Sequence, residues 1–181
     1  MAILAFQKPD KVIMQKSTDF DGTFEFRPLE PGFGVTIGNA LRRILLSSLE
    51  GYAITSVRFS GVSHEFSTIK GVVEDVTEII LNLKELKLMV EDTEDRILTL
   101  QAKGEGSVTG ADIISPDGKV EILNPEQHIA TLSKNGVLNM TMVVKTGKGY
   151  ALASANKDED SPIGTIPIDS VFSPIKRVKY V

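Results

Sequence analysis

Four short stretches hold the residue types that chemistry would use. "DFDG", Asp19 to Gly22, places two carboxylates at i and i+2, as magnesium and calcium loops do. A two-metal nucleotidyl-transfer centre would want carboxylates placed this way as well. Position 23 is threonine, so a third ligand in register is missing, and Asp21-Gly22 suits a hairpin turn. "PGFGVTIG", Pro31 to Gly38, spaces its glycines one residue off the dinucleotide fingerprint. In that fingerprint glycines let a pyrophosphate approach a helix N-terminus. The context argues against a nucleotide: the preceding strand pattern alternates, Pro31 lies inside the loop, and no acid clearly ends a second parallel strand to hold a ribose. Gly38 reads better as close packing of a helix against a neighbour. His64-Glu65 starts like H-E-x-x-H, but residue 68 is threonine, so the zinc pair is absent. The other histidine, His128, falls on a predicted strand, and 2 histidines without a cysteine leave little for a triad or a metal cluster. "KTGKGY", Lys145 to Tyr150, lacks both the P-loop spacing and the hydroxyl residue after the lysine, and reads as a turn.

Arg42 and Arg43 differ from these. The spacing of Ile37, Ala40, Leu41, Ile44, Leu45 and Leu49 predicts a helix over Thr36–Leu49, with Thr36 as N-cap and Gly51 as the stop. Adjacent residues on a helix point about 100° apart, so both arginines cannot lie on its apolar face. Arg43 shares a face with Asn39, Leu46 and Ser47. Spacing alone leaves open a solvated flank or an interface, where arginines and apolar anchors are enriched. Ile44, Leu45 and Leu46 spread apolar surface over more than half the circumference. Such a helix needs cover on two sides: one its own sheet, the other a partner.

The surrounding elements can be read in outline. "GTFEFRPLE" alternates like a strand with one wet face, and "AITSVRFSGV" reads as another. A second helix is predicted from Val72 to Leu86, striped by Val72, Val76, Ile79, Ile80, Leu83 and Leu86. Glu74, Asp75 and Glu78 near its start and Lys84 and Lys87 near its end suit the helix dipole. Beyond Leu88, "RILTLQA", "VEIL", "HIATLS" and "VLNMTMVV" carry strand composition. Leu138, Met140, Met142 and Val144 fall on one face of the last of these. "SPDG" at Ser115 is a turn, and Asn135-Gly136 predicts a hairpin between its flanking strands. "SANKDEDSP" reads as a mobile acidic loop, and "SPIKRVKYV" as a strand starting after Pro174. A terminal strand with no following turn points to a fragment of a longer protein.

Composition narrows the function classes. The 181 residues suffice for one or two small domains. A net charge of −4, no tryptophan and 3 tyrosines argue against direct nucleic-acid binding. There is no apolar run near the ~18 residues of a membrane span, and the first residues lack the pattern of a signal peptide. Without cysteine there are no disulfides or thiolate zinc sites, which fits a reducing cytoplasm.

"RPLEPGFGVTIGNALRRILLSSLEGYAITSVRFSGVSHEFSTIKGVVEDVTEIILNLKEL", with "VEILNPEQHIATL", "GKGY" and "SPIGTIPIDSVFSPIKRVKY", resembles the N-terminal domain of bacterial RNA polymerase alpha subunits. The motifs "GNALRRILLSS", "HEFST" and "GVVEDVTEIILNLK" are long, ordered and specific. The resemblance implies an α+β fold: an assembly and dimerisation subdomain, 1–50 and 175–181, interrupted by an inserted mixed α/β subdomain, 51–174. It implies a non-catalytic scaffold of a nucleotidyltransferase complex, cytoplasmic and without a cofactor of its own. The chain would dimerise and then assemble the β and β′ subunits; the catalytic metal belongs to β′, so "DFDG" is not that motif. The implied dimer interface is Ile37, Ala40, Leu41, Ile44 and Leu45. The implied β interface is Arg43, Leu46 and Ser47 with Glu65, Phe66, Ser67 and Thr68. The implied β′ interface is Lys84, Ile168 and Asp169. Promoter DNA and activators would be met only through a C-terminal domain outside this sequence, and the helix that closes the assembly subdomain is expected beyond Val181.

Overall fold

Among the described residues, thirteen antiparallel strands follow period-two patterning, and two stretches of helical period interrupt them. A computed structural model describes residues 11–158 and 160–181. In chain order the elements are β1 (Lys11–Ser17), β2 (Gly22–Arg27), α1 (Phe33–Ser47), β3 (Glu50–Phe59), α2 (Val76–Lys84), β4 (Leu88–Val90) and β5 (Arg96–Lys103). There follow β6 (Gly106–Thr109), β7 (Ile113–Ile114), β8 (Val120–Ile122), β9 (His128–Leu132), β10 (Val137–Lys148), β11 (Tyr150–Ala151), β12 (Thr165–Pro167) and β13 (Ser170–Val171). The architecture is α+β. No helix among the described residues is long and apolar enough to cross a membrane.

The chain divides into two compact units: the described residues up to Leu45 with Arg177–Val181, and Leu46–Lys176. In the first, β1 and β2 form a hairpin whose register runs from Lys11 opposite Arg27 to Ser17 opposite Gly22. "DFDG" closes it, as the turn chemistry predicts: the Thr18 N–H donates to the Asp21 carbonyl at 2.7 Å, and the Asp21 N–H donates to Thr18 Oγ1 at 3.0 Å. The helix begins earlier than its apolar spacing suggests. Gly32, at φ 90°, turns the chain, and the Phe33 N–H donates to the Glu30 carbonyl at 3.1 Å. Thr36 therefore lies inside α1 and is not its N-cap. No strand forms after Pro174. Instead the Arg42 guanidinium donates to the Val178 carbonyl, and the Tyr180 ring packs where a Cβ on Gly38 would sit.

The second unit is built on one five-stranded sheet, ordered β12-β3-β10-β5-β7, with every pair antiparallel. The predicted face of β10 is its buried one: Leu138, Met140, Met142 and Val144 are at most 3% exposed. They share a core with Leu98 and Leu100 of β5, Ile129 of β9, and Val76, Ile79, Ile80 and Leu83 of α2. The helix is shorter than its stripe. Asp75 is its N-cap in a full capping box: Asp75 Oδ1 accepts from the Glu78 N–H at 2.7 Å, and Glu78 Oε2 accepts from the Asp75 N–H at 3.2 Å. Val72 bridges to Leu132, so the residues before Asp75 run beside β9. Glu78 and Lys84 keep their dipole-favoured places, while Glu74 and Lys87 fall outside the helix.

Asn135-Gly136 makes a turn but not a hairpin. The Gly136 N–H donates to the Ser133 carbonyl at 2.7 Å, yet β9 pairs with β6 whereas β10 pairs with β3 and β5. A tight hairpin would need positive φ at both central residues, and no described non-glycine residue has it. The "SPDG" turn closes as expected, with the Gly118 N–H on the Ser115 carbonyl at 3.1 Å. The acidic loop after Ser154 is tied at its start: Asn156 Nδ2 donates to the Ile168 carbonyl at 2.7 Å and to Ser170 Oγ at 2.9 Å.

Candidate docking surfaces

α1 has a continuous apolar pattern and no buried residue. Of the residues expected at a dimer interface, Ile44 is 53% exposed and Ala40 is also exposed, while Ile37, Leu41 and Leu45 are half-buried. Val35 and Phe33 add 62% and 40% exposed apolar side chains near the helix start. On the same helix Arg43 and Ser47 are exposed and Leu46 is half-buried. The glycines ahead of it have ordinary structural duties. Gly32 takes the positive φ of the entry turn, and Gly38 makes room for the Tyr180 ring, so Gly32, Gly34 and Gly38 do not converge as a phosphate cradle.

In the second unit "HEFST" is a loop clamped to the start of α2. Thr77 Oγ1 donates to the Glu65 carbonyl at 3.0 Å, and the Val76 N–H donates to the Ser67 carbonyl at 3.1 Å. Thr68 pairs with Asp75 in an isolated antiparallel bridge, and Ser67 Oγ lies 3.1 Å from His64 Nδ1. With its backbone held at both ends, the loop displays Phe66 at 82% exposure, and Glu65 and Thr68 are exposed beside it. A fixed loop carrying a bare phenyl ring resembles the anchor of a protein–protein contact. Thr77 positions this loop, and helical periodicity gave no sign of that role.

Lys84, at the end of α2, and Asp169 come together as an ion pair, with Nζ 3.9 Å from Oδ2. Ile168 belongs to the core at 3% exposure, so its side chain supports the site from beneath while Lys84 and Asp169 face outward. Asp169 also accepts from the Ala153 N–H at 2.7 Å. That backbone bond, then a bond from the Tyr150 hydroxyl, holds the Asp169 carboxyl below its usual range; the Lys84 charge adds to the effect. The Tyr150 hydroxyl is correspondingly pushed up by Asp169. Tyr150 is a neighbour of Asp169 that the sequence did not single out, because the β11–β13 pairing that brings it there is not a local signal.

Among the described residues no group of three or more histidines, cysteines or carboxylates is arranged to hold a metal. His64 and His128 sit in separate hydrogen-bonding groups, with Ser67 and with Ser107 and Glu74.

Comparison with known proteins places the chain in a family. The family model for the RNA polymerase Rpb3/RpoA insert domain matches residues 57–173. The DNA-directed RNA polymerase subunit alpha of Desulforapulum autotrophicum is 65% identical over 173 residues, covering 96% of this chain and 51% of its own length. Subunit alpha of Desulfosudis oleivorans is 59% identical, covering 96% and 51%. That of Flavobacterium psychrophilum is 55% identical over 182 residues, covering 99% and 55%. The chain spans about half the length of the relatives it matches. With a family model over most of its residues and relatives above half identity, the chain belongs to the family of bacterial DNA-directed RNA polymerase alpha subunits.

Proposed function

We propose that the chain acts as a non-catalytic scaffold of a bacterial DNA-dependent RNA polymerase in the cytoplasm. It pairs with a second copy and then recruits the β and β′ subunits. In this reading 1–50 with 175–181 form the assembly and dimerisation subdomain, and 51–174 form the inserted mixed α/β subdomain. The observation that carries the reading is α1: a helix of 15 residues with an apolar pattern and no buried residue. Ile37, Ala40, Leu41, Ile44 and Leu45 then meet the second copy. Arg43, Leu46 and Ser47 on α1 meet β, and Glu65, Phe66, Ser67 and Thr68 of the second unit meet β in their own right. Lys84 and Asp169, supported by Ile168, form the contact for β′. Chemistry is left to the partner subunits, and promoter contacts to a part of the protein outside this sequence.

Stepwise reconstitution tests this. Arg43→Ala in the full-length subunit leaves folding intact and costs about 2 kcal/mol or more of β capture, the range for an arginine anchor. Lys84→Ala leaves β capture intact and weakens the β′ step. Normal β capture by the Arg43 variant would overturn the assignment of that edge, and loss of β capture by the Lys84 variant would overturn the division of partners.

A further inference from the structure

Asn135 is followed by the only glycine that succeeds an asparagine in this sequence. It lies exposed in the turn from Ser133 to Gly136. Its side-chain amide therefore stands in water next to the least hindered backbone nitrogen a chain can offer. That pair can react without an enzyme. The Gly136 nitrogen, having lost its proton to solvent base, attacks Asn135 Cγ, and ammonia leaves with one proton from solvent. The resulting succinimide then takes up one water and opens to an aspartyl or isoaspartyl residue.

The fold occupies the nucleophile. The Gly136 N–H is donated to the Ser133 carbonyl at 2.7 Å, so its proton is held inside the turn. The Gly136 carbonyl accepts from the Gly104 N–H at 3.0 Å, which fixes the peptide from its other side. Behind it lies Gly71, so close that a Cβ on Gly71 would come within 2.7 Å of the Gly136 Cα. Gly71 in turn is bound to the turn's first residue: its carbonyl accepts from the Ser133 N–H at 2.9 Å and from Ser133 Oγ at 3.1 Å. Ring closure needs the Gly136 nitrogen freed and rotated toward Cγ, and these contacts oppose both.

We propose that Asn135-Gly136 is a spontaneous deamidation site gated by the fold, its nucleophilic nitrogen locked by Ser133 and the Gly71 contact until the turn opens. Conversion is then a record of local opening, since only the open turn reacts. The product matters to the neighbouring elements. An isoaspartyl residue adds a methylene to the backbone of a turn that packs on Gly71, and Gly71 begins the segment that runs beside β9 into the Asp75 cap of α2.

Peptide mapping of the full-length protein aged in mildly alkaline buffer, folded and in urea, tests this. The expected result is conversion at Asn135 at least about tenfold slower in the folded protein than in the unfolded one. Gly71→Ala, which forces a Cβ into the turn at φ 83°, should raise the folded rate toward the unfolded one. Equal rates in folded and unfolded wild-type protein would overturn the gate. No conversion in urea would overturn the site itself. A Gly71→Ala protein that folds yet stays as slow as wild type would overturn the role of the Gly71 contact. Where that variant does not fold, hydrogen exchange at the Gly136 amide decides: protection supports the lock, and free exchange overturns it.

Discussion

Glu74 shows how a single carboxylate can change its role once the chain is folded. By sequence it belongs to the acidic start of a helix; in the structure it is bonded to β9. Its carboxylate accepts from the Thr131 N–H at 2.6 Å, from Thr131 Oγ1 at 3.0 Å and from His128 Nε2 at 2.9 Å. Burial raises its pKa, but the bonds from His128 and Thr131 outweigh burial and leave it lowered. Glu74→Gln turns an amide N–H₂ toward some of these donors and should cost about 1–3 kcal/mol, read as a lower urea midpoint. Asp92 makes a sharper pH prediction. Hydrogen bonds from Arg96 and then Lys119 pull its carboxyl down to about 2 from 3.8. The folded pKa is depressed, so the stability it contributes is fully present above the unfolded value and is lost as pH falls through the folded one. The gap in melting temperature between wild type and Asp92→Asn should be flat above pH 3.8 and close on the way down to about 2. A gap that persisted unchanged through that window would refute the pairing.

Elements were legible where local pattern and final environment agree. β10 shows its buried face every second residue, so period two located both the strand and its core side. The start of α2 was harder. Val72 continues the apolar stripe of the helix, yet the same residue suits a strand edge, and β9 claims it. What stops the helix there is the Asp75–Glu78 capping box, a side-chain signal that outweighs the stripe. Asp75→Ala should therefore cost about 1 kcal/mol, measured by urea unfolding, with the helix retained because its packed face is unchanged. A shift near zero would mean that the packing of Ile79 and Leu83 alone sets the helix start. Asn135-Gly136 misled for a related reason. A turn signal says that the chain reverses; which strand the next segment pairs with is settled by partners far away in sequence. The same limit hid Tyr150 and Thr77, whose contacts with Asp169 and the Glu65 carbonyl depend on tertiary placement. Arg43, Phe66 and Lys84 enter only through motif resemblance; the structure leaves Arg43 and Phe66 exposed and gives Lys84 an acidic neighbour.

Across the whole molecule apolar burial is uneven. The second unit closes a core around its sheet and α2, whereas α1 presents Val35 and Ile44 more than half exposed. The β1–β2 hairpin exposes Val12, Met14 and Phe24 as well, so the described residues of the first unit, α1 among them, leave apolar surface open to a partner. The proposed pairing with a second copy makes two separable demands on Ile44. In an isolated chain a residue 53% exposed carries little folding energy, so Ile44→Ser should lower the unfolding free energy, measured in urea, by no more than about 0.5 kcal/mol. In the full-length subunit the same change removes apolar area from the contact and should move the sedimentation profile from dimer toward monomer. Loss of the fold itself would mean that α1 is packed within the protein and needs no partner. A dimer of unchanged strength would place the self-association surface away from this face of α1.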